Sequence, residues 1–126
     1  MKILVVEDQD SIRRMIEALV TGRGHAVTGV ANGAKALEEA MHSPPDIVLL
    51  DLHLPGLYDG FEVCRRLRLD PGTRTVPVVI ISAMDDADSR AKATAAGANA
   101  YYTKPFSPIA LLKEIEKLKG LIQPKT

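Results

Sequence analysis

The sequence predicts an α/β fold, a doubly wound five-stranded parallel sheet with five helices. Three observations carry that prediction. Short apolar runs rich in β-branched residues alternate with amphipathic stretches along the whole chain. Two of the runs, "DIVLLD" and "VPVVIIS", are apolar without interruption, which suits strands covered on both faces. Strict alternation of strand and helix, finally, favours parallel strands joined by right-handed crossovers.

Taken in order, the strands are expected at 3–6, 26–30, 47–50, 76–81 and 100–103. The first helix sets Ile12, Met15, Ile16, Leu19 and Val20 on one face and stops at Gly22. The second starts at Asn32, carries Leu37 and Met41, and is ended by Pro44 and Pro45. The third follows Asp59 and Gly60 and aligns Phe61, Cys64 and Leu67. The fourth lies in "DDADSRAKATAAGA", where the apolar positions are almost all alanine and Gly97 is the stop. An alanine buries much less area than a leucine, at about 25 cal/mol per Å², so this helix is expected to sit most loosely on the sheet. The fifth begins at Ser107 and Pro108, a cap followed by proline at the first helical position, and buries Leu111, Leu112, Ile115 and Leu118.

A chain of 126 residues suits one domain, expected over 1–121, with 122–126 as a C-terminal tail or the start of a linker. Hydrophobic residues at 46% and charged residues at 25% match a soluble globular protein. Sixteen basic side chains offset sixteen acidic ones, so no electrostatic footprint for nucleic acid or an anionic membrane is expected. Cys64 is the only cysteine, which rules out an internal disulfide and points to a reducing compartment. No apolar run approaches a signal-peptide core or a membrane span, and a cytoplasmic location is expected.

In open α/β sheets, ligands bind beyond the carboxyl ends of the strands. Strand 1 ends in Glu7 and Asp8, strand 3 in Asp51, strand 4 in Ser82 and strand 5 in Lys104. Each has an ordinary structural use by itself; Asp8, for example, could cap the helix that follows. Four strand ends out of five with matched chemistry argue for a site. Carboxylates about 4 Å apart repel by ~4 kcal/mol at an effective dielectric of 20. Either some are protonated or a cation sits among them, and an all-oxygen donor set favours Mg²⁺, with Mn²⁺ as the alternative. Asp51 could also act as a nucleophile toward phosphorus, giving an acyl phosphate.

The pieces "VVEDQ", "IVLLDLHLPG", "VIISA" and "YYTKPF", in that order, resemble the receiver domains of two-component response regulators, over essentially the whole chain. The resemblance implies a flavodoxin-like strand order 2-1-3-4-5. It implies that Asp51 is the phospho-acceptor, and that Glu7, Asp8, Asp51 and the backbone carbonyl of His53 serve the metal. It further implies that Lys104, Ser82 and Ala83 meet the phosphoryl group, that Lys104–Pro105 is cis, and that Ser82 and Tyr101 form the switch. Tyr102 should then face the opposite side of the sheet. The implied partners are a sensor histidine kinase or phosphotransfer protein and a downstream output domain or target, with a homodimer through the fourth helix, fifth strand and fifth helix as a possibility.

Such a domain is not an enzyme beyond catalysing its own Mg²⁺-dependent phosphoryl transfer and dephosphorylation. The rival reading is an aspartyl-nucleophile phosphatase, disfavoured because His53 stands where a second acid is usual. A flavin or nucleotide binder is disfavoured by the lack of a glycine-rich loop after strand 1. His53 and Met84 occupy positions that vary in receivers. His25 and His42 are expected in surface loops, Cys64 in the core, and "LDPGTRTVP" as a surface excursion before strand 4.

Overall fold

The computed structural model describes residues 1–122. In chain order the elements are β1 (Lys2–Val6), α1 (Asp10–Thr21), β2 (Ala26–Val30), α2 (Gly33–His42), β3 (Ile47–Leu50), α3 (Gly60–Leu69), β4 (Val78–Ser82), α4 (Ala87–Ala96), β5 (Ala100–Thr103) and α5 (Pro108–Ile122). The expected tail at 122–126 falls almost wholly outside the described residues. All neighbouring strands pair in parallel, in the order β2-β1-β3-β4-β5, so the predicted fold class holds.

The continuous apolar runs follow from this layering. Alternate residues send Leu4, Val6, Val48, Leu50, Val78 and Ile80 to one face, against Ala36 and Ala40 of α2, Val63, Cys64 and Leu67 of α3 and Ala93 of α4. The intervening residues Ile3, Val5, Ile47, Leu49, Val79 and Ile81 meet Ile16 and Val20 of α1 and Leu111, Ile115 and Leu118 of α5. A strand with helices on both sides has no polar face to keep.

Helix starts follow the polar residues before them. Asn32 accepts from the Lys35 amide at 2.8 Å, Asp59 from Glu62 at 2.9 Å and Asp86 from Ser89 at 2.9 Å. Ser107 Oγ accepts from the Ala110 amide at 3.2 Å, and Gly97 ends α4 at φ 107° in the left-handed region.

Three expectations need correction. β4 begins at Val78, not Val76: Pro77 has no N–H to give a ladder, and the Val76 carbonyl is taken by the Arg68 guanidinium at 2.6 Å. His25 is not a surface residue but is buried, 6% exposed, under the chain's first residue and α5. Met15 and Met41, aligned with apolar faces in the sequence, are 48% and 42% exposed; they sit at the margins of stripes whose centres are Ile16 and Ala40. His42 is exposed and Cys64 is buried. Among the described residues, no helix is long and apolar enough to cross a membrane.

Candidate functional site

The parallel ladders deliver the polar strand ends to one rim. The Asp51 amide donates to Val6 O at 3.0 Å, the Glu7 amide to Val30 O at 3.0 Å and the Lys104 amide to Ser82 O at 2.8 Å. Each residue just beyond a strand is thus tied to the neighbouring strand, and the sheet's stiffness becomes the rim's stiffness. Ser82 itself belongs to β4, opposite Thr103 of β5.

At this rim Glu7, Asp8 and Asp51 each offer a carboxylate oxygen within 4.8 Å of the others. Glu7 and Asp51 are buried and Asp8 is exposed. The Lys104 ammonium donates to Glu7 Oε1 at 2.5 Å and to Asp51 Oδ2 at 3.2 Å. Burial works against the charged ammonium, but the bond to Glu7 and the charges of Asp51 and Glu7 outweigh it and raise the lysine's pKa. Asp51 Oδ1 accepts from the His53 amide at 3.2 Å, and Glu7 Oε2 from Gln9 at 3.2 Å.

The alternative use of Asp8 does not apply, because the N-cap of α1 is Gln9 and no side chain caps that helix. With three carboxylates facing one another and a single ammonium among them, a hard divalent cation fits the donor set. The oxygens are numerous enough to serve as ligands, and none of the three is needed as a helix cap.

The remaining predicted residues are distributed as follows. Ser82 is fully buried and its Oγ accepts from the Met84 amide at 3.2 Å. Ala83 and the His53 side chain are exposed on the rim. The Lys104–Pro105 peptide bond is cis. Tyr101 packs on the α2–α3–α4 side and donates its hydroxyl to Met84 O at 2.7 Å. Tyr102 packs on the other side and donates to Glu114 at 3.0 Å.

Two supporting residues escaped the sequence reading. Arg13 donates to the Glu7 carbonyl at 2.9 Å and holds the acidic turn in place; a helical arginine beside Asp10 looks like one half of a surface pair. Gly60 lets α3 begin against the acceptor residue, since a Cβ there would lie 2.3 Å from Asp51 O. The only signal in the sequence was a glycine at a helix start. Cys64, expected in the core, donates to Ala96 O at 3.3 Å, and burial pushes its thiol pKa up.

The chain is similar to known proteins over nearly its full length. A family model described as the response regulator receiver domain matches residues 3–116. The response regulator PleD of Caulobacter vibrioides is 40% identical over 117 residues, covering 93% of this chain and 26% of that protein. Among solved structures, the receiver domain of the sensor histidine kinase PA1611 from Pseudomonas aeruginosa, with a magnesium ion coordinated in its active site cleft, superposes at TM-score 0.87. Its identity is 34%, with 94% of this chain and 97% of that chain covered. The BeF₃-activated N-terminal receiver domain of Klebsiella pneumoniae RstA gives a TM-score of 0.85 at 32% identity, covering 93% and 97%. The chain spans about a quarter to a half of the length of the curated relatives it matches.

Proposed function

The chain belongs to the response regulator receiver domain family of two-component systems, and on that premise we propose that it accepts a phosphoryl group on Asp51 from a histidine kinase or phosphotransfer protein. The observation that carries the reading is the meeting of Glu7, Asp8 and Asp51 within 4.8 Å, with Lys104 bonded to two of the three. Glu7, Asp8, Asp51 and the backbone carbonyl of His53 would hold Mg²⁺. When bound, the cation supplies charge neutralisation for phosphoryl oxygens.

The chain's own groups do the rest. An Asp51 carboxylate oxygen forms the new O–P bond as the donor's N–P bond breaks. The bonding electron pair stays with the imidazole nitrogen, which takes up a proton. Lys104, 3.2 Å from Asp51 Oδ2, is within reach of the negative charge brought by the transferred group. Ala83 is small and exposed, leaving the approach open. The Ser82 hydroxyl has an accepted bond from Met84 and keeps its own proton to donate to a phosphoryl oxygen.

Signalling would then run from Ser82 to Tyr101 and on to the surface formed by α4, β5 and α5. An output domain, a separate target or a second copy would read that surface. Driving such an equilibrium from 1:99 to 99:1 takes ~5.5 kcal/mol of differential stabilisation. A group carrying about −1.5 to −2 charges is well suited to supply several kcal/mol of that.

The test is labelling by a small phosphodonor in the presence of Mg²⁺. The wild type should take up close to one phosphoryl group per chain, labile to hydroxylamine as an acyl phosphate is, and Asp51→Asn should take up none. Equal labelling of Asp51→Asn would overturn the acceptor assignment. Repeated turnover of a generic phosphate ester would favour the phosphatase reading.

A further inference from the structure

α4 is held to the molecule at its two ends more than along its length. Of its ten residues only Ser89 and Ala93 are buried, so apolar burial grips it weakly. At its C-terminal end the Arg68 guanidinium of α3 donates to Gly97 O at 3.1 and 2.8 Å and to Val76 O at 2.6 Å. It also reaches Arg74 O at 3.1 Å and Asn99 Oδ1 at 2.9 Å. These neutral acceptors fix the end of α4 to the approach of β4 and the turn into β5.

The N-terminal end is fastened differently, and through Tyr101. Arg90 donates to Asp85 Oδ1 at 2.7 and 3.1 Å and to Thr103 Oγ1 at 2.9 Å. Its guanidinium carbon lies 4.5 Å from the centroid of the Tyr101 ring. The ring is therefore held at its hydroxyl by Met84 O, at 2.7 Å, and covered on its face by a cation. A planar guanidinium can do both jobs, using its edges for Asp85 and Thr103 and its face for the ring.

We propose that Arg90, pinned by Asp85 and Thr103, is a positioning residue that keeps Tyr101 docked on the Met84 carbonyl and so favours the phosphoryl-bound form of the domain. The proposal deepens, and rests on, the Ser82–Tyr101 switch reading above. Met84 is the shared element: its amide donates to Ser82 Oγ at 3.2 Å and its carbonyl accepts from Tyr101. A Met84 held in place by the tyrosine keeps its amide on Ser82 Oγ, which leaves the hydroxyl proton directed to a phosphoryl oxygen. For the ring to turn away it must leave both the carbonyl and the guanidinium. Any ligand that prefers the docked ring binds more tightly when that ring is already docked.

The Arg90 side chain is 44% exposed and that of Asp85 65% exposed, so the contact biases the equilibrium without dictating it. A cation over an exposed aromatic face corresponds to about a two- to fivefold effect.

The experiment uses protein labelled with ¹³C in its tyrosines, titrated with Mg²⁺ alone and then with beryllofluoride. In Arg90→Ala, Tyr101 ring resonances should move toward those of an exposed tyrosine. Mg²⁺ affinity should stay at the wild-type value while beryllofluoride affinity drops about two- to fivefold. Arg90→Lys, which keeps a cation over the ring, should recover part of both changes. Unmoved Tyr101 resonances in folded Arg90→Ala, or beryllofluoride affinity equal to or above wild type, would overturn the proposal. A wild-type protein that bound Mg²⁺ but no beryllofluoride would overturn the receiver reading and this proposal with it, a failure distinct from the other two.

Discussion

Lys104 Nζ stands 2.5 Å from Glu7 Oε1, closer than its 3.2 Å approach to Asp51 Oδ2. The ammonium is thus spent largely on a member of the acidic trio, 97 residues away in sequence, and only partly on the acceptor. A divalent cation among Glu7, Asp8 and Asp51 would compete with the lysine for the Glu7 carboxylate, which leaves the ammonium free to turn toward Asp51.

Removing that competitor should not weaken the cation site. Lys104→Ala is expected to bind Mg²⁺ at least as tightly as wild type, and up to about tenfold more tightly, or ~1.4 kcal/mol. That gain is smaller than the ~4 kcal/mol between unit charges 4 Å apart at an effective dielectric of 20, because in the wild type the flexible lysine stem lets the ammonium swing away from the cation and escape part of that repulsion. The same variant should respond poorly to beryllofluoride. Titration calorimetry measures both affinities; a tenfold loss for Mg²⁺ would mean that the lysine organises the trio.

Gly60→Ala should damage the site without touching a polar side chain. A Cβ there would lie 2.3 Å from Asp51 O and 2.6 Å from Leu52 Cα, and backbone atoms cannot rotate away as a flexible side chain can. Either the start of α3 or the residue carrying the acceptor must shift. The expected cost is about 2–3 kcal/mol of stability, with a drop in Mg²⁺ affinity, measured by urea unfolding and calorimetry. A variant with wild-type stability and affinity would show that α3 can retreat freely.

The fold and the rim were legible because both follow from local pattern. Period-two and period-3.6 apolar spacing marks the elements, and a parallel sheet brings every strand's last residue to one edge. Glu7, Asp51, Ser82 and Lys104 meet for that reason alone. What was hidden depends on chain segments that only the fold brings together. Arg68 reads as a charge on a solvated helix face, yet its acceptors lie in turns up to 31 residues away. His25, between Gly24 and a strand, reads as a loop residue until Met1 and α5 close over it. The β4 boundary slipped by two residues because an apolar count does not register that Pro77 lacks an N–H.

His25 should make stability depend on pH. Its Nδ1 faces the N-terminal ammonium at 3.1 Å and its Nε2 lies 4.0 Å from Glu116 Oε1. Burial first, and then the N-terminal ammonium, hold its pKa below the ordinary 6.5; Lys119 acts in the same direction and Glu116 opposes. The unfolded chain therefore takes up the proton first. The stability due to a neutral His25 is complete above about pH 6.5 and is lost as pH falls through that value toward the lower folded one. The slope is at most about 1.4 kcal/mol per pH unit. Urea unfolding at several pH values below 7.5 should show the difference between wild type and His25→Gln shrinking on the acid side. Parallel curves would remove His25 from the account.

Arg68→Ala tests whether the C-terminal end of α4 is the fixed one. The guanidinium satisfies four acceptors in two separate connections, and its aliphatic stem lies against Gly97, where an added Cβ would come within 2.7 Å of it. Carbonyls at Gly97 and Val76 would be left to water, and part of the stem's contact would be lost. Hydrogen bonds from a charged donor contribute about 1.5–3 kcal/mol when truncated, and these share one side chain, so a total loss of about 2–3 kcal/mol is expected. Because α4 has so little buried apolar area, its opening should become easier than that of the rest of the molecule. Hydrogen exchange in the last turn of α4 and at Asn99 should therefore speed up more than in α5, which is anchored by Leu111, Ile115 and Leu118. Uniform acceleration across the whole chain would show that Arg68 serves global stability alone and that α4 has no special hold at that end.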